Sequence, residues 1–146
     1  GPYGGVPPFD KVKVADFAPA LEAAMADELA HVEKIANDPN PPTFENTIAA
    51  LERSSRTSDR ATTIFSIYTS TMNDEALQAV EREMAPKLAA HSDRIVQNAK
   101  LYARIAAVYE AREKSGLTPE QQRLSWLYYT NFTRAGAKLD ANAKQK

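Results

Sequence analysis

Residues 14–36, VADFAPALEAAMADELAHVEKIA, carry the pattern that decides the fold of this chain. Apolar side chains recur in it every three or four residues, which places them on one face of an α-helix; they are Phe17, Leu21, Ala24, Met25, Leu29, Val32 and Ile35. With Asp16 as the N-cap, Pro19 would fall in the first turn, where its missing N–H costs little. The sequence NDPNPP at 37–42 ends the helix and forms a stiff turn after it.

A second helical run follows this turn and is interrupted in its middle. Thr43 is the expected N-cap of a helix over residues 43–72, and Glu45 suits the positive end of its dipole. At the usual rise per residue, such a helix would be about 45 Å long. Small polar residues break its apolar stripe, namely Ser54, Ser55, Thr57 and Ser58. Either the helix is solvated there or another element approaches it closely.

A third helix has a proline inside its apolar pattern. Asn73 is its expected N-cap, and Asp74 and Glu75 favour its N-terminal end because their charges oppose the helix dipole. Pro86 should remove the backbone hydrogen bond to Arg82, and it should either kink the helix or split it.

Two further helices are delimited by local signals. Asn98 precedes the fourth helix, which is expected to stop at Gly116 as its C′ residue. Thr118, Pro119 and Gln121 predict a capping box at the start of the fifth helix, with proline in the first helical position. The apolar stripe of this last helix comprises Leu124, Leu127, Tyr128, Phe132, Ala135 and Leu139.

The chain as a whole is therefore predicted to be all-α. Residues 1–12, GPYGGVPPFDKV, are too rich in Gly and Pro to form a helix and are expected to be an extended arm. Residues 13–146 then form one helical segment, since the sequence has no hairpin-forming strand pattern and no internal repeat. We expect about five helices, arranged as long antiparallel hairpins.

Composition excludes several classes of function. Of the 146 residues, 43% are apolar and 25% are charged, as in ordinary folded proteins. The 18 Lys and Arg residues nearly balance the 19 Asp and Glu residues, so no long-range field attracts nucleic acid or an anionic membrane. No apolar stretch of about twenty residues is present to span a bilayer. The absence of cysteine excludes disulfides, thiolate zinc sites and cysteine nucleophiles.

The histidines do not form a recognisable metal or catalytic motif. His31 and His91 belong to no H-E-x-x-H or His-x-x-x-His pair. We expect His31 on a helix surface and His91 to be a hydrogen-bonded, half-buried residue. His91, Ser92 and Asp93 have the residue types of a catalytic triad, but consecutive residues of a helix do not face each other.

Neither the paired carboxylates nor the glycine pair indicates a site. Asp74 and Glu75 are explained as helix N-terminal charges, and Glu81 and Glu83 face different directions on a helix. The glycine pair at 4–5 lies outside any strand–loop–helix context that would cradle a phosphate. No residue of this chain is therefore assigned a catalytic or metal-binding role, and the substrate contacts are unknown.

The aromatic residues of the last two helices are expected to pack in the core. They occur at helical spacing and comprise Tyr102, Tyr109, Trp126, Tyr128, Tyr129 and Phe132. The adjacent pair Tyr128 and Tyr129 cannot both face inward, so one of them should meet solvent or a partner.

Several longer phrases resemble a known family in their order and spacing. They are PYGGVPPFDKVK at 2–13, NPPTFENTIAALERS at 40–54, NDEALQAVEREMAPKLAAHSDRIVQN at 73–98, LYARIAAVYEAREKSGLTPEQQRL at 101–124 and NFTRAGAKLDA at 131–141. Together they resemble the N-terminal region of bacterial peptidyl-dipeptidases, which are zinc metallopeptidases of the thimet oligopeptidase and neurolysin family. The resemblance covers essentially the whole chain. Ser55 departs from it, because the family often has Gly there.

The resemblance implies a large, mostly helical enzyme with a deep central channel. Zinc in that family is held by an H-E-x-x-H helix and a more distal Glu, and the Glu of the motif is the general base. None of these residues can be carried onto a position of this chain. The zinc cofactor and the catalytic domain are therefore expected in a longer parent protein. In the family, the N-terminal region builds the helical wall that narrows the channel.

We therefore interpret the chain as a non-catalytic N-terminal segment of a peptidyl-dipeptidase, an enzyme that releases dipeptides from peptide C-termini. Its expected partners are the catalytic domain of the same protein and, in the parent, a peptide substrate. An isolated segment of this kind should expose apolar surface and self-associate. The alternative is a free-standing helical interaction module without peptidase activity. The expected compartment is the bacterial cytoplasm or periplasm, with the cytoplasm preferred.

Overall fold

The computed structural model describes residues 12–72 and 74–136, and all of the regular structure in them is helical. In chain order the elements are α1 (Val14–Ala36), a π-helical segment (Phe44–Ala49), α2 (Ala50–Ser54), α3 (Arg56–Thr71), α4 (Glu75–Val96), α5 (Ala99–Ala111) and α6 (Pro119–Arg134). The predicted all-α fold is confirmed, with about five helices when the run over 44–71 is counted once. The predicted arm at 1–12 lies outside the described residues except for its last residue, so the boundary at 12 stays a prediction.

Helix α1 begins earlier than the sequence indicates. It starts at Val14 with Lys13 as the N-cap, so the assignment of Asp16 as the N-cap is wrong. Asp16 occupies the third helical position instead, and its carboxylate accepts the backbone N–H of Lys13 at 3.0 Å. Pro19 consequently lies inside the helix and leaves the carbonyl of Ala15 without its usual N–H donor.

Two of the predicted N-caps are confirmed. The Thr43 hydroxyl accepts the backbone N–H of Asn46 at 3.1 Å. The Thr118 hydroxyl accepts the N–H of Gln121 at 3.2 Å, and the Gln121 side chain returns the bond to the Thr118 N–H at 2.9 Å. Pro119 is the first residue of α6, as the capping-box pattern predicts. In each cap the donor and the acceptor are three residues apart, which is why the sequence alone locates these two helix starts.

Helix α4 differs from its prediction in its cap and in its continuity. Asp74, rather than Asn73, is the N-cap, and its carboxylate accepts the N–H of Ala76 at 2.8 Å. Asn73 itself lies outside the described residues. The helix is not split at Pro86, because it runs unbroken from Glu75 to Val96.

Helix α5 begins as expected but ends before Gly116. The side chain of Asn98 caps its start by accepting the N–H of Leu101 at 3.0 Å. The helix ends at Ala111, and the next residues form turns that reach Gly116 in the left-handed region at φ +65°. The Arg112 guanidinium contributes to this earlier end by donating to the carbonyl of Tyr109 at 2.8 Å. Helix α6 ends at Arg134, and the predicted end of its stripe at Leu139 lies outside the described residues.

The run over residues 43–72 is not one straight helix. It opens as a π-helical segment, continues as α2 and breaks at Ser55 before α3. Ser54 and Ser58 are buried, and each donates its hydroxyl to a backbone carbonyl one turn earlier in the chain, a bonding mode that bends helices. Helix α1 packs against both α2 and α3, so close approach of another element, rather than solvation, explains these small residues.

Asn46 and Arg104 hold the turn between α1 and the π-helical segment. The Asn46 carbonyl oxygen accepts hydrogen bonds from the Thr43 N–H at 2.8 Å and from Arg104 at 3.1 Å. The Arg104 side chain also donates to the backbone carbonyls of Asp38 at 2.8 Å and Asn40 at 3.0 Å. Arg104 is buried, and these bonds tie α5 to a turn that is more than fifty residues away in sequence.

The apolar side chains form two separate cores, and α1 contributes to both. One core contains Val32, Ile35, Ala36, Ile48, Leu51, Leu101, Ile105, Val108 and Phe132. The other contains Phe17, Leu21, Met25, Phe65, Tyr68, Leu77 and Met84. We call them the distal core and the proximal core, after the end of α1 that each one covers. Within the described residues, α1 is the helix that supplies buried side chains to both cores.

Helix directions follow from these contacts. Phe17 packs against Tyr68 near the end of α3, with ring centroids 5.0 Å apart, so α1 and α3 are antiparallel. Helices α5 and α6 form a second antiparallel pair, in which Tyr102 bonds to Thr133 and Tyr109 stacks on Tyr129. No helix in the described part of the chain is both long and apolar enough to cross a membrane.

The Arg104 contacts lead to a prediction about stability. Replacing Arg104 with Met should lower the free energy of unfolding by about 2–4 kcal/mol, because three part-buried hydrogen bonds from a buried guanidinium are lost. Arg104→Lys should lose nearly as much, since the compact ammonium group lacks the two separate nitrogens with which the guanidinium reaches these acceptors. Urea unfolding followed by circular dichroism measures the change.

Arg53→Ala is the matched control, because Arg53 forms an exposed ion pair with Glu45 at 2.7 Å. That substitution should cost less than about 1 kcal/mol. An Arg104→Met protein as stable as the unmodified chain would contradict the structural role of Arg104.

Candidate functional site

The two histidines lie in different environments, as the sequence predicts. His31 is at the surface of α1, and its Nδ1 donates to the backbone carbonyl of Asp27 at 2.8 Å. His91 is half-buried on α4, and its Nε2 is 2.8 Å from the Glu28 carboxylate of α1. The His91 and Glu28 side chains are only 11% and 12% exposed, so this pair links α4 to α1 away from bulk water.

The apparent triad His91-Ser92-Asp93 is not assembled. His91 bonds to Glu28 of another helix and makes no bond to Asp93. Ser92 and Asp93 are both exposed on α4. The described residues also contain no group of three or more His, Cys, Asp or Glu side chains that could hold a metal ion.

The paired carboxylates have the structural roles expected for them. Asp74 caps α4, and Glu75 is its first residue. Glu83 accepts a hydrogen bond from Lys87 at 2.8 Å on the exposed face of α4, and Glu81 is exposed. The glycine pair at 4–5 lies outside the described residues.

An acidic groove lies between the two cores and is lined by residues of both. It encloses about 670 Å³ between α1, α2, α3, α4 and α6. Its walls include apolar side chains of both cores, among them Leu21, Met25, Val32, Leu51 and Phe132. The sequence analysis did not identify this groove, although the small residues Ser54, Ser55 and Ser58 that line it were its one visible signal.

The polar groups of the groove are mainly acidic. Glu28, Glu52 and Asp59 line it from α1, α2 and α3, and His91 lines it from α4. No Lys or Arg is among the described residues that line it. The negative charges in the groove are therefore not balanced by cationic side chains of the described chain.

Tyr128 is directly affected by this charge. Its hydroxyl donates to the Glu52 carboxylate. Burial raises the pKa of the Tyr128 phenol well above its usual value, and the hydrogen bond to Glu52 and the charges of Glu52, Asp59 and Glu28 raise it further. All of these causes favour the neutral phenol, because a phenolate in the groove would face three carboxylates.

Tyr128 and Tyr129 are both half-buried, so neither is fully enclosed, in agreement with the prediction that they cannot both face inward. Tyr128 faces the groove and α2, whereas the Tyr129 ring stacks on Tyr109 of α5 with centroids 4.3 Å apart. The helix places the two rings against different neighbours. The exposed apolar residues of α6 are instead Trp126 and Leu127, which are 48% and 44% exposed.

Comparison with known proteins gives the chain its relatives. No family model matches it. It is 34% identical over 140 residues to the dipeptidyl carboxypeptidase of Salmonella typhimurium and 35% identical over 140 residues to that of Escherichia coli. Each match covers 96% of this chain but 21% of the relative, so the chain spans about one fifth of the length of the curated relatives it matches.

Nearly the whole chain thus aligns with about one fifth of two dipeptidyl carboxypeptidases. The relatives are dipeptidyl carboxypeptidases, and the resemblance to that family inferred from the sequence is confirmed. The phrase TFENTI at 43–48, one of those that carry the resemblance, coincides with the hydrogen-bonded turn around Asn46. In this chain that phrase therefore has a structural role.

The buried His91–Glu28 pair should contribute measurably to stability. In a double-mutant cycle with Glu28→Ala and His91→Ala, we expect a coupling energy of about 1–3 kcal/mol, because the pair is shielded from water. Asp27 and His31 provide the matched control, since they are also a carboxylate and a histidine but are 57% and 48% exposed. Their coupling should stay below about 0.5 kcal/mol. Equal coupling energies for the two pairs would show that burial is not the cause.

The shifted phenol of Tyr128 should be visible in an alkaline titration. Below the ordinary tyrosine pKa of about 10, the phenol is neutral in both the folded and unfolded states, and no stability is lost. As pH rises above that value, the unfolded chain ionises more readily than the folded one, so the folded state loses stability. Tyr128→Phe should remove the latest-ionising phase of tyrosinate absorbance and flatten this loss, whereas Tyr109→Phe should not. A titration curve that is unchanged in Tyr128→Phe would refute the assignment.

Proposed function

We propose that this chain is the non-catalytic N-terminal helical segment of a zinc peptidyl-dipeptidase and forms part of the wall of its substrate channel. The observation that carries the proposal is the similarity across 96% of the chain to one fifth of the dipeptidyl carboxypeptidases. The parent enzyme would release dipeptides from the C-termini of peptides. This segment would contribute shape to the channel.

The surface of the segment supports packing against further protein. Large apolar side chains are exposed on α3, at its C-terminal end and on α6, namely Ile67, Met72, Trp126 and Leu127. Exposed apolar surface of this kind is typical of protein contacts. Without the rest of the parent, the same side chains would favour self-association of the isolated segment.

The described residues do not fit a zinc site. They hold no group of three or more potential ligands, and His91 is already hydrogen-bonded to Glu28. In the proposed parent, zinc would be bound by residues outside this chain. No catalytic step is assigned to any residue of the segment.

Exchange of the segment into a relative tests this proposal. We predict that the Escherichia coli dipeptidyl carboxypeptidase loses activity when its matched 140 residues are deleted. Activity should return when this chain replaces them. The deletion should lower kcat/KM by about 100-fold, since a channel without its wall no longer positions peptides. Dipeptide release from an N-terminally blocked peptide is the measurement.

This chain alone, supplied with zinc, is the control and should release no dipeptide above the blank. A fully active deletion protein would contradict the role of the segment as channel wall. An inactive but folded chimera would instead favour the alternative, a free-standing interaction module.

A further inference from the structure

We propose that the acidic groove binds an arginine or lysine side chain that is flanked by apolar side chains and carried by another part of the same polypeptide. The proposal rests on the proposed function, because it identifies the surface by which the segment would attach to the rest of the peptidase. The occupant would be a basic and apolar segment of the parent chain.

The charges of the groove indicate a cationic occupant. Glu28, Glu52 and Asp59 converge on it from three helices, and no Lys or Arg of the described residues lines it. Elsewhere the chain pairs carboxylates with its own cations, as in the contact of Glu22 with Lys87 at 2.5 Å. Among the residues that the structure describes, the groove thus gathers carboxylates without a Lys or Arg to pair with them.

The Tyr128 hydroxyl lies beside the same carboxylates, because it donates to Glu52. The charges of Glu52, Asp59 and Glu28 all act on it in the same direction and favour its neutral form. A cation placed beside Tyr128 would therefore be attracted by three carboxylates at once. Such convergence in a partly enclosed site strengthens the attraction beyond that of an exposed ion pair.

The apolar walls of the groove favour a Lys or Arg side chain over a small hydrated ion. Leu21, Met25, Val32 and Phe132 line the groove, so a small hydrated ion would leave most of its surface unused. Lys and Arg combine a charged end with an aliphatic stem that packs on apolar surface. The volume of about 670 Å³ also exceeds one side chain, and it leaves room for apolar neighbours of the cation.

His91 offers a further contact for a donor. When Nε2 carries the proton that Glu28 accepts, Nδ1 is a hydrogen-bond acceptor. The Nδ1 atom is buried and has no hydrogen-bond partner among the described residues. The N–H groups of a guanidinium or ammonium are donors only, so an entering cation would complement this atom.

The length of the relatives indicates where the occupant comes from. This chain spans 21% of them, so most of a protein of that family lies outside the segment. The groove lies between the two cores of the segment. A side chain inserted there would contact both cores and fix one against the other.

A peptide titration tests the chemistry of the groove. Because the chain has no cysteine, Ser92→Cys at the groove can carry a single environment-sensitive fluorophore. The probe is a short blocked amphipathic helical peptide with one arginine flanked by leucines. Its twin has citrulline, a neutral isostere of arginine. We expect the arginine peptide to bind about tenfold more tightly than its twin.

Variants that neutralise carboxylates inside or outside the groove test whether the arginine peptide binds there. Glu52→Gln with Asp59→Asn keeps the shapes of both side chains and should abolish the difference between the two peptides. Glu45→Gln with Glu113→Gln removes the same charge from exposed positions outside the groove and should preserve the difference. Circular dichroism confirms folding, and Asp59→Asn alone serves if the double variant is unstable. Equal binding of the two peptides, or no binding of either, overturns the proposal.

The chimera described above tests the source of the cation. Glu52→Gln with Asp59→Asn should lower the Tm of the chimera more than that of the isolated segment, because both lose the charge-assisted bonds of these carboxylates to Tyr128 and Ser55 but the chimera also loses the contact with the cation. An equal change of Tm in both proteins would overturn the commitment to the parent chain. A concentration-dependent fluorescence change in the absence of peptide that Glu52→Gln with Asp59→Asn abolishes would identify a second copy as the occupant and would also overturn it. An inactive chimera combined with selective peptide binding would refute the proposed function while leaving the chemistry of the groove supported.

Discussion

The structure depends on one helix that serves two cores. The N-terminal half of α1 contributes Phe17, Leu21 and Met25 to the proximal core, and its C-terminal half contributes Val32 and Ile35 to the distal core. Apolar burial therefore holds the helices of the proximal core and those of the distal core to α1 more directly than to each other. The space that opens where the two sets diverge is the acidic groove. Its existence follows from this division rather than from any local motif.

A polar contact gives the distal core its geometry. The turn after α1 contains prolines and asparagines whose backbone carbonyls cannot all bond within a helix. Arg104 supplies several donors from one rigid guanidinium group and satisfies carbonyls of Asp38 and Asn40 together with the Asn46 side chain. Because those acceptors lie on both sides of the turn, their shared donor fixes the direction in which the π-helical segment leaves α1. Ile48 and Leu51 then reach the distal core.

The sequence predicts those features of the fold that depend on residues close together in the chain. Apolar periodicity correctly places the buried face of α1, and the Thr43 and Thr118 caps are correct because their partners are three residues away. The groove was missed because its contacts join distant parts of the chain. Glu28 and His91 are separated by 63 residues and Glu52 and Tyr128 by 76, separations that no local pattern encodes. The break at Ser55 was missed for a similar reason, since it depends on the approach of α1.

The acidic groove is also informative because its carboxylates come from three different helices. Like charges that are brought together repel one another, and a cation placed among them relieves that repulsion. The overall formal charge of −1 shows that the chain has almost as many cations as carboxylates, yet no Lys or Arg of the described residues lines the groove. A sequence adapted only to the stability of this segment would gain from placing one cation in the groove. The lack of such a cation in the lining is physically reasonable when another part of a longer protein supplies the positive charge. The same carboxylates then become a specific attachment point for that part.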